Sequence, residues 1–114
     1  MSSEKDRAVL RRMIERIERT LSYCSNRSYL DFEQDTMLQE ACVFNVLQIG
    51  ELSKQGLSES FVSAHPQIPW RQMYGLRNRI VHGYEGITLN IVYDTITLDF
   101  PALLDQLKKL EENV

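Results

Sequence analysis

The sequence predicts an all-α fold, a helical bundle of about five helices joined by short connections. Three observations carry this reading. Apolar residues recur at spacings of one, three and four along most of the chain, which is the period of an amphipathic helix. Capping and breaking residues, among them Ser3, Asp35, Gly56, Ser58, Pro66, Pro69 and Gly83, fall between those apolar runs. No segment reads convincingly as a strand, and no repeat, low-complexity stretch or linker divides the 114 residues, so residues 1–114 are expected to form a single domain.

The elements follow in order. Ser3 can cap a first helix, with Asp6 in the first turn where the helix dipole favours an acid. Val9, Leu10, Met13, Ile14, Ile17, Leu21 and Cys24 form its apolar stripe. Its other face is rich in arginine, from Arg7 to Arg19, and reads as a solvated face with ion pairs four residues apart. Residues 25–28 are turn-like, and Asp31 or Asp35 can cap the second helix. That helix is apolar over most of its circumference from Met37 to Leu52, so it is expected to bury more than one side and to supply an oligomer interface. Glu51 stands at the edge of this surface, and Gly56 ends the helix. Ser58 caps a short piece, Glu59 to Ala64, stopped by Pro66. Pro69 suits the first turn of the next helix, which runs from Trp70 through Val81 to Gly83. Thr88 caps a last helix with an apolar stripe from Leu89 to Leu110, which Pro101 should kink or break.

Composition narrows the function. Net charge is −3, so any nucleic-acid contact must rest on a local cluster of positive charge. Cys24 and Cys42 sit in apolar helical patterns and read as buried, reduced thiols. With His65 and His82 they offer no metal-ligand spacing, and no metal or other cofactor is expected. The N-terminal residues are charged and unlike a signal peptide, and no apolar run approaches the ~20 residues of a membrane span. A cytoplasmic protein without membrane contact is expected.

Chemistry concentrates in Arg77-Asn78-Arg79-Ile80-Val81-His82-Gly83-Tyr84. Cleaving RNA without a metal requires a base for the 2′-hydroxyl, an acid for the leaving oxygen and positive charge on the transition state. A histidine, which ionises near pH ~6.5, can fill the proton-transfer roles. Arginine offers a permanent bidentate phosphate clamp, and Asn78 can bond phosphate or hold the histidine. Arg77 and Tyr84, seven apart, share one helix face, whereas His82 lies ~140° round from Arg77 on an ideal helix. One helix therefore does not converge them, and two copies packed through this helix could place both pairs around one cleft. A monomer is then expected to be inactive. Each residue also has a plainer reading. His82 could satisfy the last helix carbonyls. Arg77 could pair with Glu51 or Glu85, Tyr84 could be an interface aromatic, and Asn78 could bond only locally.

The strings Ile49-Gly50-Glu51-Leu52, His65-Pro66-Gln67-Ile68-Pro69-Trp70-Arg71, Gly75-Leu76-Arg77-Asn78 and His82-Gly83-Tyr84 keep the order and spacing of the HepT-like family of HEPN-domain proteins. The closest stretch covers about residues 41 to 96, and the Arg-x-x-x-x-His-x-Tyr signature is matched at Arg77, His82 and Tyr84. The resemblance implies a HEPN-type up-and-down bundle that dimerises, and a metal-independent endoribonuclease acting as a toxin. It implies Arg77 and His82 as catalytic residues, with Asn78 and Arg79 supporting them at the phosphate. It also implies a partner, a small MNT-type nucleotidyltransferase antitoxin that silences the nuclease by transferring AMP to Tyr84. Glu85 departs from the family, where an aromatic or apolar residue is common, and it adds negative charge beside the proposed site. The alternative is a non-catalytic partner or substrate-binding subunit of a nucleotidyltransferase. A purely structural helical dimer would leave the clustering of Arg77, Asn78, His82 and Tyr84 unexplained.

Overall fold

Helix α1 spans Glu4–Cys24 in the computed structural model of the chain, which describes residues 3–83 and 89–113. It opens on a capping box. The Asp6 N–H donates to Ser3 Oγ at 3.1 Å, and the Ser3 N–H donates back to Asp6 Oδ2 at 3.5 Å. Asn26 then turns the chain with a φ of 59°, a left-handed conformation that asparagine tolerates better than most residues.

Helix α2, Tyr29–Glu33, is an addition to the expected layout. Ser28 and Asp31 form a second capping box there, and Phe32 is fully buried, so caps and one anchor suffice for a short helix. Helix α3, Thr36–Glu51, begins at Asp35, whose Oδ1 accepts from the Leu38 N–H at 3.0 Å. Of the two aspartates that could cap it, Asp35 does so, while Asp31 serves α2. A wide, π-type turn at Leu52–Gly56 follows. Helix α4, Glu59–Ala64, is capped by Ser58, and helix α5 spans Trp70–Gly83. Trp70 Nε1 donates to the His65 carbonyl at 2.9 Å, and the Phe61 ring packs on His65, which locks the corner between them.

Helix α6, Leu89–Asp94, passes through a second π-type turn at Thr95–Asp99 into α7, Phe100–Glu112. The interruption expected at Pro101 takes this form. Proline lacks an N–H and crowds the carbonyl four residues back. The wider turn carries the Phe100 N–H to the Thr95 carbonyl instead, and the chain continues as a helix. The cap expected at Thr88 lies outside the described residues.

No strand occurs among the described residues, and the all-α bundle expected from periodicity is what the chain forms. Helices α1, α3 and α7 enclose a core in which Leu10, Met13, Ile14, Ile17 and Leu107 are wholly buried. Helix α5 lies chiefly along α3. On the arginine-rich face of α1 the ion pairs reach further than four residues: Arg11 pairs with Glu18 at 3.6 Å and with Glu111 of α7 at 3.1 Å. Helix α3 turns Leu38, Cys42, Val43, Val46 and Ile49 inward, yet leaves Met37 81% and Phe44 55% exposed on its outer face. None of the described helices is long and apolar enough to cross a membrane.

One buried acid joins two helix starts. Asp6, 2% exposed, accepts from the Ser58 N–H and the Ser58 Oγ, both at 2.7 Å. Burial works against its charged form, but the bonds from Ser58 and Ser3 outweigh it and hold the carboxyl below the usual carboxylate range. Its contribution is therefore complete above the unfolded pKa of ~3.9 and is lost as pH falls through the lower folded value. Asp6→Ala is expected to cost about 2–3 kcal/mol at neutral pH, because it leaves both Ser58 donors without their acceptor. Chemical denaturation at pH 7 and pH 3 checks this, since the difference between variant and wild type should shrink at the lower pH.

Cys24 and Cys42 are buried and unpaired by any disulfide, with their sulfurs 3.7 Å apart. The shared hydrogen bond and burial push the Cys42 thiol up, while the same bond pulls Cys24 down. A thiol-reactive dye is expected to label neither cysteine quickly in the native protein and both after denaturation, because burial denies it access to either sulfur.

Candidate functional site

The site is assembled where α5 crosses α3. Gly50 makes the crossing possible, since a Cβ there would stand 2.5 Å from Arg77 Cβ and 2.7 Å from the Met73 carbonyl oxygen. The two backbones thus approach closely enough to lay the Arg77 side chain against the end of α3. Its Nε stands 2.7 Å from Glu51 Oε2, as a close ion pair rather than an aligned hydrogen bond. Its Nη1 donates to Asn78 Oδ1 at 2.9 Å, and its guanidinium lies 5.5 Å from the centre of the Tyr74 ring. Lys54, from the turn after α3, covers the same ring at 5.0 Å. Each of the two cations is attracted by the negative quadrupole of the Tyr74 ring.

Of the residues singled out in the sequence, Arg77 and Asn78 are thus brought together, with Glu51 as the acid that pairs with Arg77. The Arg77 side chain is 22% exposed, so it is held in place without being fully buried. His82 stands apart in the last turn of α5, exposed, with no hydrogen bond or ion pair among the described residues. It does not satisfy a carbonyl at the helix end. Arg79 is exposed as well, on the side of α5 that faces α7. Tyr84 and Glu85 lie outside the described residues. No hydrogen bond or ion pair joins Arg77 and His82 among the described residues, in keeping with their separation around the helix.

Sequence reasoning missed Lys54 and the role of Tyr74 as a ring that both cations approach. A lysine three residues beyond Glu51 was the available signal. Its relevance depends on the wide turn at 52–56, which no local pattern announced. Among the described residues no group of three or more His, Cys, Asp and Glu side chains is placed to hold a metal ion.

The fold and the site define an all-α bundle carrying an arginine, an asparagine and, five residues beyond the arginine, a histidine on one crossing helix. The ribonuclease HepT-like family matches residues 13–110, and the chain belongs to that family. It is 32% identical over 110 residues to the "Probable ribonuclease HepT" of Thermococcus cleftensis, covering 96% of this chain and 97% of that one. It is 30% identical over 112 residues to the "Putative RNase MJ0127" of Methanocaldococcus jannaschii, covering 98% and 89%. A protein of Caldanaerobacter subterraneus, "Putative RNase TTE0752", is 30% identical over 104 residues, covering 91% and 92%. No solved structure matches the chain.

Proposed function

We propose that this chain is a metal-independent endoribonuclease that works as a homodimer and is the toxin of a toxin–antitoxin pair. Membership of a ribonuclease family supports an RNase function. The observation that carries the reading is the held, partly exposed side chain of Arg77, beside Asn78, with an uncommitted His82 five residues along the same helix. In the proposed step a 2′-hydroxyl attacks the adjacent phosphorus. The O–P bond forms, the bond to the 5′-oxygen breaks, and a 2′,3′-cyclic phosphate and a free 5′-hydroxyl result. One imidazole takes the hydroxyl proton and another gives a proton to the leaving oxygen, so two copies of His82 serve better than one. Arg77 carries the charge that builds on the phosphoryl oxygens, with Asn78 and Arg79 supporting it.

The exposed Met37 and Phe44, two turns apart on one face of α3, and the exposed Val81 of α5 support the dimer. A nucleotidyltransferase antitoxin would silence the enzyme by placing AMP on Tyr84, and the added anionic phosphates would compete with RNA for Arg77 and Arg79. The test is incubation of purified protein with total cellular RNA and a chelator, after intact mass has excluded AMP on the chain. Fragments ending in 2′,3′-cyclic phosphate are expected. An unmodified dimer that leaves RNA whole would overturn the nuclease. One observation favours a second reading: Glu51 sits 2.7 Å from Arg77 and already neutralises the main cation of the site. In that reading the chain is a non-catalytic partner of the nucleotidyltransferase.

A further inference from the structure

A groove of about 800 Å³ runs between α5 and the continuous α6–α7 helix, within the roughly 300–1,000 Å³ of small-molecule sites. Its floor is apolar, built from Ile49, Leu76, Phe100 and Leu103. Its rim is polar, with Gln72 and Arg79 on α5 facing Asp99 and Gln106 across the opening. Leu98, 70% exposed, extends the apolar surface out to the rim.

Three features tie this groove to the proposed chemistry. Arg79 lines it and makes no ion pair among the described residues. Arg79 and His82 are three residues apart on α5, so they are neighbours on the helix surface. Gly75, one turn before Arg79, also lines the groove, and a Cβ there would meet nothing within 4 Å. A larger side chain at Gly75 therefore has room at the groove wall.

We infer that this groove receives one unpaired nucleobase of the RNA, next to the cleaved linkage, while Arg79 holds that nucleotide's phosphate. The inference rests on the endoribonuclease reading. A single cation beside an apolar floor matches one phosphate and one base, not the run of phosphates along a duplex. Bases in single-stranded loops can splay out and offer both their faces and their edges, whereas paired bases cannot. The floor takes the faces. Asp99 can only accept hydrogen bonds when ionised, so it favours an exocyclic amino group, as on cytosine or adenine, over the carbonyls of uracil. Gln72 and Gln106 can each donate and accept. The enzyme is thereby directed to unpaired RNA, with a preference at one position beside the cut.

The test uses a fluorescein-labelled, 2′-O-methyl single-stranded 12-mer RNA, which cannot supply the attacking hydroxyl. A set of the same oligonucleotides is made abasic at each position in turn. For the wild type, removing the base at one position should weaken binding about tenfold. Gly75→Leu, which fills open space at the groove, should weaken the intact oligonucleotide by a similar factor and be indifferent to that abasic substitution. Asp99→Asn, on an exposed residue, should weaken the cytosine-bearing oligonucleotide to the level of the uracil-bearing one and so lose the distinction between them there. Asp99→Asn should melt with the wild type, and Gly75→Leu should melt no lower, since leucine is the better helix former. A Gly75→Leu protein with wild-type affinity and the same abasic profile would overturn the inference, even if RNA is still cut. Loss of binding to a partner protein alone, with the oligonucleotide profile unchanged, would overturn it as well and assign the groove to that protein. Position-dependent abasic sensitivity in a protein that cuts no RNA would sink the nuclease and leave the base site standing.

Discussion

His82→Ala is expected to lower RNA cleavage by about 10²–10⁴-fold, the usual worth of a positioned general acid or base. Its stability should stay within about 0.5 kcal/mol of the wild type, because the side chain is exposed and touches no polar group among the described residues. That combination separates a chemical role from a structural one. Arg77→Ala should lose cleavage to a similar degree, but it should also lose stability, since Glu51 Oε2 would keep its buried place without its cation. Single-turnover cleavage and thermal denaturation on the two variants settle the matter. Unchanged cleavage in His82→Ala would sink the assignment of His82, and a fully stable Arg77→Ala would show that the ion pair holds nothing together.

The second large effect falls on a residue with no chemistry of its own. Gly50→Ala places a methyl group 2.5 Å from Arg77 Cβ and 2.7 Å from the Met73 carbonyl oxygen, closer than such atoms can stand. Helix α5 must move away from α3, and overpacking of this kind costs about 2–4 kcal/mol. The melting temperature should fall by roughly 10 °C or more. Cleavage should fall too, because the same crossing sets Arg77 against Glu51 and Asn78. Gly75→Ala is the control on the same helix. Its methyl group meets open space, and alanine in a helix interior gains roughly 0.5–1 kcal/mol over glycine. A Gly50→Ala protein that melts with the wild type would mean that the two helices are not in tight contact at this point.

Several residues of the candidate site are legible in the sequence by itself. Arg77, Asn78, Arg79 and His82 stand in one short string, and helical geometry already separated Arg77 from His82. The acid that faces Arg77 was not legible. Glu51 and Glu85 were equal candidates, because one is distant in sequence and the other local, and only the crossing at Gly50 favours Glu51. Lys54 over Tyr74 and the groove beside Arg79 were hidden for the same reason: each joins residues from separate helices.

By itself the sequence determined the helical character, the positions of most caps and the inward stripes, since these depend on residues within four of one another. Ser3 and Ser58 begin the helices they were expected to begin, and Asp35 is the one of the two candidate aspartates that begins α3. Tertiary structure supplied the buried Phe32 that anchors the short, locally capped helix at Tyr29–Glu33, and it alone decided the passage of the chain through Pro101 by a wider turn and the double service of Asp6 as first-turn acid and acceptor for Ser58. The reason is physical. Local hydrogen bonds and periodicity are encoded over a few residues, whereas buried polar partners and close helix crossings are set by what packing brings together across the whole chain.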